Sequence, residues 1–327
     1  MSSTLERRSV AVGDLLVGEG PAVVIGGRVN LRAYHGQVDA YEALGEHATL
    51  VEPYSAADLP AIASRADAVV VGSSWTRDIP LVRAAAGLGL PVVVERRASA
   101  SMEEWLELAG YCADAGDGRV LLCEGGRLDL GLMRAARAAS GRPVLADVSS
   151  DVGLSAAAVA AGADGLVVDA AGAGGTGARL GTFTGAKAVE LSKGGALEFV
   201  SAGAESRAEP AQSPAGASAL RVAEEAVTVV GALLRPEAPA TLPECRQAID
   251  RVDAALATLL ERRAALAGIV QRIKPVGGFA GRDFARERAL VARMALRAPS
   301  LGEARLAPIM NAVIEAGLHL AEERSAR

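Results

Sequence analysis

The chain has 327 residues and a net charge of -5, and half of its residues are hydrophobic, which excludes a disordered or fibrous protein. The acidic balance argues against nucleic acid as a partner, because phosphate binding needs a basic surface. Three widely spaced cysteines and three scattered histidines predict reduced thiols and no metal centre. Charges near the start and the lack of a membrane-spanning apolar run predict a cytoplasmic protein without a signal peptide or membrane contact.

Short apolar runs alternate with alanine- and leucine-rich stretches up to about residue 203. The runs are rich in Val, Ile or Leu at successive positions, as in strands buried on both faces of a parallel sheet: Ala22–Gly26, Thr49–Pro53, Ala68–Gly72, Pro91–Glu95, Val120–Glu124, Pro143–Asp147, Gly165–Asp169 and Leu197–Ser201. The stretches between them predict helices: Ile79–Leu88, Met102–Ala115, Asp129–Ala139 and Ser155–Ala161. This alternation predicts an α/β domain, a (β/α)8 TIM-like barrel, with a doubly wound open sheet as the alternative.

The alternation of apolar runs and predicted helices ends after the last of these runs. Residues 204–216 have no apolar period and predict a loop, and Ala219–Leu234 predicts the last helix of the barrel domain. Three prolines mark residues 236–243 as a linker. We therefore expect a barrel domain over residues 1–235 and a second domain over residues 244–327.

The second domain is predicted to be all-α. Leu242–Ile273 is one long heptad-like pattern, a turn follows at Gly277–Gly281, and Asp283–Leu296 and Ala304–Ala321 predict two further helices. A helix from Glu244 to Lys274 would be about 45 Å long, which is too long for an isolated domain of this size. We expect it to pair with its own copy in a homodimer.

Charged residues recur at helical intervals in this domain. Arg263 and Lys274 are three turns apart and share a helix face, so a small dianion could lie between them. Arg246 lies about 25 Å upstream along the axis, and it could reach the same ligand only from an antiparallel partner helix. The next helix carries two further pairs one turn apart, Arg282 with Arg286 and Asp283 with Glu287. Salt bridges on a solvated helix are the alternative interpretation of these pairs.

The whole series resembles the all-helical chorismate mutase family, whose members are intertwined helical dimers. The residues that carry the resemblance are CRQAIDRVDAALATLLERRAALAGIVQRIKPVGGFAGRDFARERAL, and it extends over Leu242–Glu323. The resemblance implies conversion of chorismate to prephenate, a one-substrate pericyclic step without nucleophile, metal or cofactor. It places Arg263 and the partner subunit's Arg246 on the two carboxylates of chorismate.

The same resemblance implies roles for the remaining charged residues. Lys274 would reach one carboxylate and the ether oxygen, and Asp283 and Glu287 would lie near the ring hydroxyl. Arg286 would orient these acids, and Arg282 would belong to the substrate-binding set. Arg263, Lys274 and Glu287 are the catalytic candidates. Fixed cations suit such a step, because the substrate must be folded over its ring while charge develops on the ether oxygen.

The third helix of the domain departs from the family pattern. Where the family has a glutamine or glutamate near the ether oxygen and a serine one turn earlier, this chain has Ala321 and Gly317, although Glu315 matches. A small shift in register would bring His319 or Glu322 to the donor position instead. Without such a donor we expect slow turnover, or turnover that needs the barrel or a partner to order the site.

The N-terminal domain resembles 3-deoxy-arabino-heptulosonate 7-phosphate (DAHP) synthase over about residues 10–203. The likeness is carried by VVIGGRV, VVVGSSWTRDIPLVR, VVVERRASASMEEW, VLLCEGG, RPVLADVSSDVG and GADGLVVDA. The family's metal ligands are not retained: Arg28 replaces a cysteine, Ser150 replaces a histidine, Asp169 replaces a glutamate, and the last aspartate has no counterpart. A divalent cation needs several converging ligands, so no metal is expected.

The positions that bind phosphoenolpyruvate in that family are also changed. Glu95 stands in place of a lysine, Gly125 in place of one arginine and Ser74 in place of another. The barrel is therefore expected to be a pseudoenzyme that serves as a scaffold for the mutase dimer. The alternative is a regulatory domain that docks a partner, for example an active DAHP synthase.

Two glycine-rich segments and two charged pairs in the first domain are weaker signals of function. Gly172–Gly177 fits the GxGxxG pattern of dinucleotide binding, but a flexible loop is favoured because no helix opens inside it. Gly181–Lys187 lacks the spacing of a phosphate-binding loop. Two charged pairs, Arg77–Asp78 and Arg96–Arg97, are predicted to be solvated residues on the rim of the barrel.

Three alternatives to chorismate mutase activity remain open at this point. The same cationic cage suits a mutase or lyase that acts on amino-deoxychorismate or isochorismate. The chain could also be a non-catalytic regulatory partner of an active DAHP synthase. A bifunctional enzyme with a working barrel is the weakest of these hypotheses.

Overall fold

The N-terminal part of the chain folds around a parallel sheet of eight short strands. The computed structural model describes residues 8–18, 20–169, 214–234, 239–274 and 276–325. An antiparallel hairpin, β1 (Val10–Val12) and β2 (Leu15–Val17), precedes the sheet. The sheet contains β3 (Val23–Ile25), β4 (Arg28–Asn30), β5 (Ala48–Glu52), β6 (Ala66–Val71), β7 (Val92–Glu95), β8 (Val120–Glu124), β9 (Val144–Asp147) and β10 (Gly165–Val167). The predicted α/β barrel-type architecture is confirmed, whereas the hairpin and β4 did not stand out in the sequence.

The sheet is curled, and its two edge strands are consecutive in the sequence. Its strands lie in the order β3-β10-β9-β8-β7-β6-β5-β4, so β3 and β4 are the two edges. Only Gly26 and Gly27 separate these edges along the chain, and Gly27 has a φ of 72°, a conformation that glycine adopts readily. β10 pairs directly with β3 through Gly165 and Val23. The predicted strand Leu197–Ser201 lies outside the described residues.

Burial on both faces explains the continuous apolar runs of the sequence. Side chains inside the curl, such as Val70, Val93 and Leu121, form one buried cluster. Their chain neighbours point to the opposite face of the sheet, as β geometry requires, and Val71 and Leu122 lie in a second cluster there with residues of the helices. The open ends of the strands are therefore the part of the sheet where polar side chains can meet.

Seven helices of the first unit are described: α1 (Ala40–Leu44), α2 (Leu59–Arg65), α3 (Ile79–Ala86), α4 (Met102–Ala115), α5 (Leu130–Ser140), α6 (Ser155–Ala160) and α7 (Pro214–Leu234). Asp78, Ser101 and Asp129 begin α3, α4 and α5, because each side chain accepts a hydrogen bond from a free backbone N–H of the first turn. The helix α7 begins at Pro214, so the last residues of the predicted loop 204–216 are helical. The short helices α1 and α2 were not predicted.

The C-terminal helices are α8 (Leu242–Ile273), α9 (Phe284–Ala295) and α10 (Gly302–Ser325). The chain divides into two compact units, Met1–Val252 and Asp253–Arg327, and the division falls inside α8. At the start of α8, Glu244 accepts hydrogen bonds from the N–H groups of Ala240 and Thr241. No helix in the described ranges is long and apolar enough to cross a membrane.

An apolar stripe runs along α8 and remains exposed. Its side chains recur at helical intervals and each is more than a third exposed: Ile249, Val252, Leu256, Leu259, Leu260, Leu266, Ile269, Val270 and Ile273. In contrast, α9 and α10 bury Val291, Leu306 and Met310 against each other. A helix whose apolar face stays in water is not stable by itself, so the stripe calls for a covering surface.

Candidate functional site

A pocket in the second unit is bounded by α8, α9, α10 and the turn between α8 and α9. Five cationic side chains line it, namely Arg263, Lys274, Arg282, Arg286 and Arg293. The carboxylates of Asp283 and Glu287 also line it. Its apolar wall consists of Leu266, Val270, Leu290, Ile314 and Leu318. The pocket thus combines a positive charge excess with a hydrophobic wall, which suits a small anion with an apolar body.

Six of the seven charged residues predicted for the site lie in this pocket. The seventh, Arg246, belongs to the part of α8 that is counted with the first unit, and it does not line the pocket. Arg293 was not predicted. Arg293 follows Arg286 by seven residues, which is two helical turns, so the two side chains lie on the same face of α9. This seven-residue spacing is the sequence signal that could have identified Arg293.

Arg263 and Lys274 contact neutral oxygens. The Nη1 of Arg263 donates to the backbone oxygen of Val313 at 3.3 Å, which ties α8 to α10. The Nζ of Lys274 donates to the backbone oxygen of Gly281 at 2.8 Å, which ties the end of α8 to the following turn. Both contacts orient a cation without neutralising it, so each charge remains able to act on an anion in the pocket.

Asp283 begins α9 and thereby places the acidic residue that follows. Its Oδ1 accepts a hydrogen bond from the N–H of Arg286 at 3.0 Å, in the manner of a helix N-cap. Its backbone oxygen accepts from the N–H of Glu287 at 3.0 Å. The order of side chains in the first turn of α9 therefore follows from this cap.

Arg282 is held by other residues of the protein. Its Nε and Nη2 donate to the two carboxylate oxygens of Glu287 at 3.1 and 2.7 Å, and its Nη1 donates to Glu315 at 3.1 Å. Nη2 also donates to the side-chain oxygen of Asn311 at 2.7 Å. The Arg282 side chain is 9% exposed. Arg282 therefore fixes Glu287 relative to α10, and its charge is largely balanced by Glu287 and Glu315.

The third helix presents a small residue to the pocket. A Cβ at Gly317 would lie 3.8 Å from the Cβ of Ala267 and 3.9 Å from the Nη1 of Arg263, so a small side chain would fit there. His319 contacts the ring of Phe279 at a centroid distance of 5.0 Å. Neither His319, Ala321 nor Glu322 is among the described residues that line the pocket. The register thus presents Gly317 and Leu318, rather than a substitute donor.

At the mouth of the barrel, carboxylates end four strands. Glu52, Glu95, Glu124 and Asp147 are the last residues of β5, β7, β8 and β9. Glu52, Glu95 and Asp147 each lie two residues after a side chain inside the curl and therefore face a shared space. Glu124 follows the inward-facing Cys123 by one residue and points to the other face of the sheet. The structure places Arg28 in the shared space, at the beginning of β4.

The guanidinium of Arg28 pairs with three of these carboxylates. Its Nη2 lies 2.9 Å from Glu52 Oε2, and its Nη1 lies 2.5 Å from Glu95 Oε1 and 2.9 Å from Asp147 Oδ2. Burial by itself would lower the pKa of Arg28, but the surrounding negative groups, Glu95 first, raise it. From the sequence, Arg28 is interpreted as the loss of a metal ligand and Glu95 as the loss of a substrate-binding lysine. The structure joins the two residues in one ion-pair network.

The prediction that Arg96 is a solvated rim residue is wrong. Its Nε and Nη2 lie 2.5 and 2.6 Å from the two carboxylate oxygens of Glu124, which is fully buried. Only 9% of the Arg96 side chain is exposed. A buried carboxylate needs a paired cation, and this pairing could not be predicted from the pattern because Glu124 ends an apolar run. Arg77 and Asp78 are exposed, as predicted, and Asp78 caps α3.

The structure also places the remaining barrel positions named from the sequence. Ser74 and Ser150 are exposed in turns, and the position of a Cβ at Gly125 would lie 3.6 Å from the Cβ of Asp147. The N–H of Asp169 donates to the hydroxyl oxygen of Ser149 at 2.9 Å. The two glycine-rich segments, Gly172–Gly177 and Gly181–Lys187, lie outside the described residues.

Comparison with known families decides the nature of the C-terminal helices. Residues 245–322 match the family model of chorismate mutase type II. These residues form a chorismate mutase domain. The matched range contains all six of the predicted charged residues in the pocket as well as Arg246.

The N-terminal part is DAHP synthase-like. It is similar to the phospho-2-dehydro-3-deoxyheptonate aldolase of Thermotoga maritima, with 31% identity over 152 residues. The match covers 41% of this chain and 42% of that protein, so the chain spans about two fifths of the length of the relative that it matches. The crystal structure of DAHP synthase from the same organism matches 50% of this chain and 64% of its own, with 24% identity and a TM-score of 0.45. A truncated form of that synthase matches with 24% identity over 50% of this chain and 80% of its own, with a TM-score of 0.42.

The DAHP synthase-like barrel implies a divalent metal ion, and the residues present do not fit one. A guanidinium occupies the space among the strand-end carboxylates, where it carries the positive charge. As these side chains stand, no three His, Cys, Asp or Glu residues within the described ranges are arranged to hold a metal ion. We therefore derive no chemistry through a metal in this barrel.

The carboxylate of Glu52 is expected to make barrel stability depend on pH. Burial first, and then the neighbouring Glu95, raise the pKa of Glu52 above its ordinary value of 4.5, although Arg28 acts in the opposite direction. The folded state therefore binds this proton more tightly than the unfolded chain does. The stabilisation that the proton provides is complete below about pH 4.5 and is lost as the pH rises through the folded value.

We predict that Glu52→Gln gains stability relative to the wild type as the pH is raised from 4.5 to 8. Urea unfolding followed by tryptophan emission measures this for the barrel alone, because Trp75 and Trp105 are the two tryptophans of the chain. Glu107→Gln, an exposed change on α4, is the control and should keep a constant difference from the wild type. An equally constant difference for Glu52→Gln would contradict the prediction.

Proposed function

We propose that the C-terminal domain converts chorismate to prephenate. The observation that carries this proposal is that Arg263 and Lys274 line one pocket, where each donates a hydrogen bond to a backbone oxygen. Chorismate is a dianion with a hydrophobic ring, and it matches both the cations and the apolar wall. The family match over residues 245–322 supports the same assignment.

The reaction breaks the ether C–O bond and forms one C–C bond within a single molecule, so no proton acceptor or nucleophile is needed. Its barrier falls if the side chain is held over the ring and if negative charge on the ether oxygen is stabilised. In our proposal Arg263 holds a carboxylate, and Lys274 reaches a carboxylate and the ether oxygen. The apolar wall of Leu290, Ile314 and Leu318 strengthens these charge interactions by excluding water.

Glu287 is assigned to the ring hydroxyl, and Arg282 positions it. The two-point contact from Arg282 leaves the Glu287 carboxylate fixed rather than free to turn, and Glu315 anchors Arg282 from α10. Asp283 acts mainly through the cap that sets the first turn of α9. Arg286 and Arg293 add positive charge along the same face of that helix.

We propose that the working form is a homodimer joined through α8. The exposed apolar stripe of that helix is a self-complementary surface if a second copy lies antiparallel to it. The same arrangement would let the partner subunit's Arg246 supply the second carboxylate contact. A second copy is the occupant that both observations require, because Arg246 and the stripe lie on one helix.

For the barrel we propose a scaffold or regulatory role without DAHP synthase activity. The guanidinium of Arg28 and the carboxylate of Glu95 neutralise each other at 2.5 Å, which leaves neither to bind a metal ion or an anionic substrate. Docking to an active DAHP synthase remains the regulatory version of this role. Metal-dependent consumption of phosphoenolpyruvate by the purified chain would contradict it.

The departure at the third helix favours a second candidate function. Since Ala321 and Gly317 carry no donor side chain, a non-catalytic domain that only binds the dianion is the competing hypothesis. Chorismate decay no faster than the uncatalysed background, with retained binding, would support it. Mutases or lyases of amino-deoxychorismate and isochorismate are distinguished by mass spectrometry of the products.

We predict that Arg263→Ala lowers kcat/KM for chorismate by at least about 100-fold, because an oriented cation on the substrate is lost. Arg262→Ala is the matched control, since this neighbouring arginine is exposed and does not line the pocket. The control should stay within about twofold of the wild type. Loss of chorismate absorbance measures both rates, and equal rates for the two variants would refute the site assignment.

We predict that Ala321→Gln raises kcat/KM by about 10-fold, because it restores a hydrogen-bond donor where the family has one. Gly317→Ser should add to the effect, since a small side chain fits beside Arg263. Ala316→Gln, an exposed change on the same helix, is the control and should have no effect. An unchanged rate for Ala321→Gln would rule out a missing donor as the cause of slow turnover.

We predict that Leu256→Glu converts the dimer to a monomer and abolishes turnover, because it places a charge in the apolar stripe of α8. Leu301→Glu, at an exposed leucine outside α8, should leave the dimer intact. Sedimentation velocity reports both states. A wild-type chain that is monomeric at micromolar concentration would contradict the proposed dimer.

Mixed dimers test the sharing of Arg246 directly. Arg246→Ala and Arg263→Ala should each be inactive alone, but a co-expressed mixture should recover about a quarter of wild-type activity, because half of the random dimers hold one intact site. A mixture as inactive as its components would show that Arg246 acts within its own chain or not at all.

A further inference from the structure

Three carboxylates pair with the guanidinium of Arg28 at the mouth of the barrel, and the Nε of Arg32 lies 3.8 Å from Oε1 of Glu52. Glu52, Glu95 and Asp147 come from three different strands, and each directs one oxygen to Arg28. The four side chains are between 4% and 15% exposed, so the charges are largely removed from water. Such a group is costly to bury unless each charge has a partner.

The second oxygen of each carboxylate is held by a fixed donor of the barrel. Trp75 Nε1 donates to Glu52 Oε1 at 3.1 Å, and the N–H of Ser73 donates to Glu95 Oε2 at 3.0 Å. The N–H of Ser149 donates to Asp147 Oδ1 at 3.0 Å. Every carboxylate is therefore anchored from outside while its other oxygen contacts a nitrogen of the Arg28 guanidinium.

The backbone of β6 also makes room for this arrangement. A Cβ at Gly72 would collide with the carboxylate of Glu52, so the absence of a side chain at this position is needed. Gly72 follows directly after β6, next to the strand that carries Glu52. The convergence of the three oxygens thus depends on several parts of the barrel and not on Arg28 alone.

The charges explain why a cation must occupy the centre. Three carboxylates whose oxygens all lie within 2.9 Å of one guanidinium would repel one another strongly if the guanidinium were removed. Two of the oxygens lie on Nη1 and the third on Nη2, so the arrangement is shaped for a guanidinium, and a single ion would need the carboxylates to move together.

We propose that Arg28 is a built-in cation that does the work of a bound divalent ion at the barrel mouth. The anchored oxygens of Glu52, Glu95 and Asp147 form a latent cation site that the guanidinium fills. The wild-type barrel is therefore independent of divalent ions, and loss of the guanidinium makes it dependent on them.

Manganese binding and thermal unfolding of the full chain test this proposal. Arg28→Ala should unfold at a lower temperature than the wild type in chelator, and millimolar Mn²⁺ should raise its midpoint by about 5 °C or more. The shift of the tryptophan emission maximum follows the barrel, and the paramagnetic resonance signal of free Mn²⁺ reports binding. Wild type, Arg28→Lys and the exposed-site control Arg77→Ala should neither bind Mn²⁺ nor change their midpoints with it.

Two results would overturn the proposal. One is uptake of Mn²⁺ at this site by the wild type, shown by loss of that uptake in Glu95→Gln. The other is an Arg28→Ala midpoint that is the same in Mn²⁺ and in chelator. Both are independent of chorismate turnover, so the proposal stands or falls separately from the mutase assignment.

A double-variant cycle decides the case if Arg28→Ala does not fold. In the wild-type background Glu95→Gln should lower the unfolding midpoint, because it removes an ion pair to Arg28. In the Arg28→Ala background the same change should raise the midpoint or restore folding, because it relieves repulsion among the remaining carboxylates. A midpoint that Glu95→Gln lowers in both backgrounds would refute the built-in cation.

Discussion

The contact between a guanidinium and its acceptor determines what each unit can bind. In the barrel, Arg28 and Arg96 meet carboxylates, and the positive charge is cancelled inside the protein. In the mutase domain, Arg263 and Lys274 meet backbone oxygens, which orient a cation but leave its charge. An anionic ligand is attracted to the second kind of site and not to the first. The acceptor of each cation thus distinguishes the ion-pair network of the barrel from the pocket of the second unit.

Long-period patterns predicted the large elements because they report burial over many residues. The bounds of α8 agree with the predicted Leu242–Ile273, and each described strand that stood out in the sequence lies within two residues of its run. The strand β4 (Arg28–Asn30) begins and ends with a polar residue, so it does not form an apolar run, and the five-residue helix α1 is too short to show a helical period. Tertiary contacts with the rest of the sheet define them instead.

Of the two groups of charged residues, the pocket of the second unit could be predicted from the sequence and the ion-pair network of the barrel could not. Six residues of the pocket could be predicted because helical spacing keeps them on facing surfaces, and Arg293 follows the same rule. The barrel network could not, because Glu52 and Asp147 are separated from Arg28 by 24 and 119 positions in the chain. No local pattern links residues that meet only when a sheet curls. Position-by-position comparison with a family marks such residues as losses, whereas the structure shows that they compensate one another.

The helix α8 constrains how the two units of the chain can be separated. Arg246 lies before the division between the units, and Arg263 and Lys274 lie after it, on one uninterrupted helix. The cap formed by Glu244 with Ala240 and Thr241 precedes all three. A mutase fragment that began inside the helix would therefore lose the cap, and with it the order of the turn that carries Arg246. The first unit is continuous with the turn of α8 that carries Arg246, so a cut between barrel and helix would have to preserve this cap to leave the proposed shared site intact.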